Sequence, residues 1–109
     1  MKINELIEKT GAKALNIADE NAEITGCYIG DLLSLVMSKA DEGDCWLTVQ
    51  TNVNVAAVSV LVGISCIIIV EGMEPDDELL NKAKEQDVNI LKTEKSAYEI
   101  AKIISESGI

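Results

Sequence analysis

The sequence predicts a three-layer α/β/α domain on a mainly parallel sheet of about five strands. Short apolar runs alternate with helix-length amphipathic segments along most of the chain, the pattern of strand–helix–strand crossover units with helices on both faces. One run, Ile64 to Val70, is a nearly continuous Ile/Val stretch bounded by Gly63 and Gly72, as expected of a central strand covered on both sides. With 109 residues, 48% of them apolar, the chain suits one ordinary domain, and residues 1–109 are read as one unit.

The elements follow in order. Ile3, Leu6 and Ile7 form the stripe of a short helix that Gly11 can end. Ala12 to Ile17 and Ile24 to Ile29 read as two short strands about a polar stretch, a pair that can run antiparallel. Gly30 and Asp31 open a helix through Leu32, Leu33, Leu35, Val36 and Met37, with Asp31 as its cap. Cys45 to Val49 is a buried strand, and Val53 to Val62 is a helix apolar around nearly its whole circumference. One sheet cannot cover all of that helix, so its second cover is expected to be another copy in a homodimer, or else the terminal segments of the same chain. After Ile64 to Val70, Pro75 fits the first turn of a helix whose start is acidic, at Asp76, Asp77 and Glu78. Val88 to Leu91 is a short strand, and Thr93 caps a last helix through Ala97, Ile100, Ala101 and Ile104.

Composition removes several classes of function. Nine basic against nineteen acidic residues give a net charge of −10, which repels nucleic acid and anionic membrane surfaces. Histidine is absent, and with it the commonest general base and metal ligand. Cys27, Cys45 and Cys66 lie apart in apolar stretches with no C-x-x-C pair, so they read as reduced core thiols. Together with an N-terminal stretch that lacks an apolar export segment, they point to the cytoplasm. The stretch from Cys45 to Val70 holds no charged side chain, yet Gln50, Thr51, Asn52 and Asn54 interrupt it and its flanks are acidic. It therefore reads as strand, helix and strand instead of a membrane span.

In open α/β sheets a ligand sits beyond the carboxyl ends of the strands, where helices begin. That rule nominates Gly30 and Asp31; Gln50, Thr51, Asn52 and Asn54; Glu71, Gly72 and Met73; and Lys92, Thr93 and Ser96. Capping alone would satisfy Asp31 and Asn52. Gln50 and Thr51 are harder to assign that way, because consecutive polar side chains between buried elements need partners. The acidic cluster from Glu74 to Glu78 reads as a solvated helix start, so no metal site is expected. No phosphate loop, dinucleotide fingerprint or nucleophile elbow occurs, and Cys27 has no base or cation near it in sequence. Neither catalytic residues nor a cofactor are expected.

Three stretches carry a resemblance: ITGCYIGDLLSLVMSKADEGDCWLTVQTN, NVAAVSVLVGISCIIIVEGMEP and DVNILKTEKSAYEIAKII. Their G-x-x-x-GD turn, their EGD before a W-x-T-x-Q strand, and their apolar strand ending in x-G-x-x-P together resemble the DRTGG domain family. The resemblance implies an α/β domain similar to the N-terminal domain of bacterial HPr kinase, serving as an accessory, regulatory part. Gln50-Thr51-Asn52 stands near the family's Asp-Arg and Glu71-Gly72 near its Thr-Gly-Gly, so the arginine is missing here. The expected function is non-catalytic regulation of a partner enzyme through a small ligand, nucleotides included, with ligand contacts at Gly30, Asp31, Gln50, Thr51, Asn52, Glu71, Gly72 and Thr93. The alternative is a pure interaction subunit with no ligand.

Overall fold

The computed structural model describes residues 1–109. Ten elements alternate along the chain: α1 (Ile3–Thr10), β1 (Lys13–Asn16), β2 (Gly26–Ile29), α2 (Leu33–Lys39), β3 (Asp44–Thr48), α3 (Asn54–Val62), β4 (Cys66–Ile69), α4 (Asp77–Glu85), β5 (Ile90–Lys92) and α5 (Ala97–Glu106). The five strands form one sheet in the order β1-β5-β4-β3-β2. Strands β2 to β5 run parallel and in sequence, and β1 joins β5 antiparallel. The charge-free stretch thus becomes β3, α3 and β4, and no helix is long and apolar enough to cross a membrane.

Side chains alternate across the pleat and divide the core in two. On one face Trp46, Ile67, Ile69 and Ile90 meet Val36 of α2, Val55, Ala56 and Val58 of α3, and Leu79 and Ala83 of α4. On the other, Cys45, Leu47, Cys66, Ile68 and Leu91 meet Ile3 and Leu6 of α1 and Ile100 and Ile104 of α5. Every residue of β4 is buried, and each such isoleucine contributes roughly 1.5–3 kcal/mol on leaving water. Its place at the centre of the sheet follows.

Four expectations are corrected. The first two strands lie at opposite edges of the sheet and do not pair, because β2 is held by β3 and β1 by β5. Asp31 does not cap α2, whose N-cap is Leu32 without a side-chain bond. Thr93 does not cap α5; Ser96 does, accepting from Glu99 N while Glu99 reaches back in a capping box. Pro75 precedes the N-cap Asp76 instead of sitting in the first turn of α4.

Candidate functional site

The W-x-T-x-Q strand is a brace. Trp46, Thr48 and Gln50 occupy alternate positions and so point the same way, toward the turn that follows β2. Trp46 Nε1 donates to Gly30 O at 2.8 Å, Thr48 Oγ1 to Asp31 Oδ1 at 2.9 Å, and Gln50 Nε2 to Asp31 O at 2.7 Å. Asp31 Oδ1 also accepts from Val49 N at 2.9 Å. The network runs on, because Asn52 Nδ2 donates to Gln50 Oε1 at 3.0 Å and Asn52 Oδ1 accepts from Asn54 N at 2.9 Å. Asn52 therefore satisfies a free N–H at the start of α3, while Thr51 offers its carbonyl to Asp76 N at 2.9 Å. No buried side-chain nitrogen or oxygen is left without a partner.

A second lattice joins the turns after β4 and β5. Glu71 N donates to Lys95 O and Gly72 N to Thr93 O, both at 2.9 Å. Thr93 Oγ1 accepts from Lys95 N at 3.1 Å, which is its role in place of capping. Glu71 and Gly72 are both left-handed, at φ 62° and 68°, a conformation that favours glycine and that Glu71 adopts at a cost of about 1–2 kcal/mol. The chain leaves β4 toward α4 on one face and leaves β5 toward α5 on the other. Such a divergence of successive connections is where open α/β sheets form their crevice.

Beside these turns lies a cleft of about 410 Å³ lined by Gly11, Lys13, Lys92, Thr93, Glu94 and Lys95. Lys13 and Lys92 face each other across the β1–β5 pair. Lys92 is paired with Glu74, and Lys95 Nζ donates to Thr10 O at 3.1 Å, at the end of α1. The structure thus brings together Gly30, Asp31, Gln50 and Asn52 in one hydrogen-bonded group and Glu71, Gly72 and Thr93 in another. Of the eight residues expected to contact a ligand, Thr93 lines this cleft, beside Lys92, which the strand-end rule also nominated.

Helix α3 buries Val55, Ala56, Val58 and Ser59 and leaves its opposite side bare. Val60 is 50% exposed and Leu61 72%. Together with Val53, Asn54 and Ala57, with Lys82 on α4 and with Gln86 just past its end, they line a groove of about 520 Å³. The chain's own ends do not cover it, because α1 and α5 lie on the other face of the sheet.

The thiols form a row. Cys27 pairs with Cys45 and Cys45 with Cys66 in the registers of three adjacent strands. Cys45 and Cys66 are buried, whereas Cys27 is exposed on the edge strand, which corrects its reading as a core thiol. Partial burial, with Cys45 and Asp44 adding repulsion, pushes the Cys27 thiol up from about 9.0 to about 12. Cys45 is raised too, first by its hydrogen bond with Cys66 and then by burial. Both thiols are held protonated, the opposite of an activated nucleophile.

Residues 5–107 match the DRTGG domain family. The chain belongs to that family. This DRTGG domain is also similar in fold to a solved structure of the CBS and DRTGG domains of the regulatory region of Clostridium perfringens pyrophosphatase, complexed with the activator diadenosine tetraphosphate. The TM-score is 0.76 at 16% identity, over 97% of this chain and 46% of the other, so the domain spans less than half of that region. No curated protein matches.

The motif residues that carry the family resemblance turn out to be the bracing of the DRTGG domain. Gly26 lies against the Asp44 carboxylate, Gly43 against Thr25 at φ 90°, and Gly30 against the Tyr28 ring, so a Cβ at any of them would have to displace its neighbour. Sequence reasoning missed the partnership of Trp46 with Gly30 and the facing lysines 13 and 92. It also missed Asn89, whose Oδ1 accepts from Ala18 N at 2.7 Å and whose Nδ2 donates to Ser65 O at 2.9 Å.

Proposed function

We propose that residues 1–109 act as one non-catalytic regulatory module, in the cytoplasm, that takes up a small ligand along its carboxyl-end rim and regulates a partner enzyme as a homodimer. The observation that carries this reading is the uncovered side of α3. Leaving a leucine such as Leu61 in water forgoes roughly 1.5–3 kcal/mol that a facing surface would recover. The occupant favoured is a second copy. At a net charge of −10 two copies repel each other, and a face drawn from the charge-free stretch is where they approach at least electrostatic cost. The ligand half draws support from the clostridial region, which was complexed with a dinucleotide and so makes nucleotides the first compounds to try.

The reading without a ligand is favoured by a specific observation. Asp31, Gln50 and Asn52 spend their hydrogen bonds on one another, on the Thr48 hydroxyl and on nearby backbone. On this reading they are scaffold, and the module acts by contact alone.

Sedimentation velocity of the full chain tests the association. The parent is expected to sediment as a dimer at micromolar concentration, and Leu61→Asp as a monomer with an unchanged circular dichroism spectrum. A parent that stays monomeric at high concentration, or a Leu61→Asp variant that still dimerises, refutes the homodimer.

A further inference from the structure

We propose that the cleft at Lys13, Lys92 and Lys95 binds the phosphate groups of a small molecule. This locates the ligand of the regulatory reading and rests on it, but moves the site from the Gln50 turn to the cleft between the start of β1 and the end of β5. Three independent observations converge there.

The first is charge. Three of nine lysines line one cleft of a chain whose net charge is −10. Counting Glu74, which pairs with Lys92, and Glu94 on the wall, the local balance remains positive. The second is register. Lys13 and Lys92 are directly opposed in an antiparallel pair, where like charges destabilise the sheet. Glu74 relieves Lys92, while Lys13 makes no ion pair within the chain. A bound anion between them turns that repulsion into attraction. The third is topology. The cleft adjoins the point where the connections from β4 and β5 part to opposite faces, and the turn after β5 forms one of its walls. Its lining contains no apolar side chain, which suits a phosphate chain better than a ring system.

Free polyphosphate and a nucleotide share this chemistry. Calorimetric titrations of the full chain at low salt with inorganic phosphate, tripolyphosphate and ATP separate the sources. We expect tripolyphosphate to bind more tightly than phosphate. ATP binding alike assigns the site to the phosphate chain alone, and ATP binding tenfold tighter adds a nucleoside contact; either supports the proposal. Lys13→Ala should weaken binding at least tenfold and Lys13→Ala/Lys95→Ala should abolish it, while Lys102→Ala, exposed on α5 and outside both the cleft and the α3–α4 groove, leaves it unchanged. A second readout keeps the test sound if folding changes. Without anions, Lys13→Ala should melt at or above the parent temperature, because it removes repulsion, and tripolyphosphate should raise the melting temperature of the parent most, of Lys13→Ala less and of the double variant not at all. Binding unaffected by the lysine changes but lost in Gln50→Ala overturns this site and leaves the regulatory reading standing. No binding of any phosphate compound overturns the site as well, and the association then stands or falls on the Leu61→Asp result.

Discussion

Asp31 shows how much a single side chain can be asked to hold. Its Oδ1 accepts from the buried Thr48 hydroxyl and from Val49 N, and its carbonyl accepts from Gln50. Asp31→Ala strands the Thr48 hydroxyl and Val49 N, while the backbone carbonyl still accepts from Gln50, and should lower stability by roughly 1–3 kcal/mol, whereas Asp31→Asn keeps an acceptor in place and should cost less than half as much. Urea unfolding of the two variants checks this, and equal losses would show that charge, not the hydrogen bond, matters. The thiol row gives a pH dependence of known sign. The Cys27 and Cys45 thiols titrate higher in the folded chain than in the unfolded one, where about 9.0 is ordinary. Below pH 9 both contributions are fully present; that of Cys27 is lost as pH rises toward about 12 and that of Cys45 falls in the same direction, because the unfolded chain sheds protons that the folded chain keeps. The urea midpoint is expected to fall between pH 8.5 and 10.5, and to fall less steeply in Cys27→Ala/Cys45→Ala; parallel slopes would refute the assignment.

At the scale of elements, what could be read from the chain was what local pattern decides. The continuous Ile/Val run of β4 can only be a strand covered twice, and it lies at the centre. The all-round apolarity of α3 announced that one sheet would not cover it, and Leu61 is indeed left bare. Strand order was harder. The runs that became β1 and β2 look alike, and nothing local says that one closes the β5 edge and the other the β3 edge. The exposure of Cys27 followed from that unread edge position. The cap of α5 was legible but misassigned, since Ser96 and Glu99 stand at the spacing of a capping box that Thr93 lacks. Gln50 and Asn52 were placed correctly at the rim, but their partners across the turn came only with the fold. The strand-end rule reached Lys92 and Thr93, but Lys13 lay beyond local reading, because Lys13 and Lys92 meet only through the antiparallel closure of β1 on β5.

For the whole molecule, the two proposed surfaces respond to salt in opposite directions. Two copies at −10 each repel over distances comparable to the Debye length, which is about 30 Å at 0.01 M salt and about 8 Å at 0.15 M. Added salt removes that repulsion and leaves the apolar contact of α3 intact or stronger, so self-association should tighten several-fold between 20 and 300 mM NaCl. Attraction of a phosphate chain to the lysine cleft is screened by the same ions and should weaken over the same range. Sedimentation velocity across a salt series gives the first, and calorimetry with tripolyphosphate across that series gives the second. Association that loosens with salt would mean that the copies meet through ion pairs, and would move the interface away from the uncharged side of α3. Helix α4 lies between the two surfaces, because it supplies Lys82 to the groove and packs against β1, the strand that carries Lys13 of the cleft. A module built this way would dimerise most readily under the ionic conditions in which it holds its ligand least tightly.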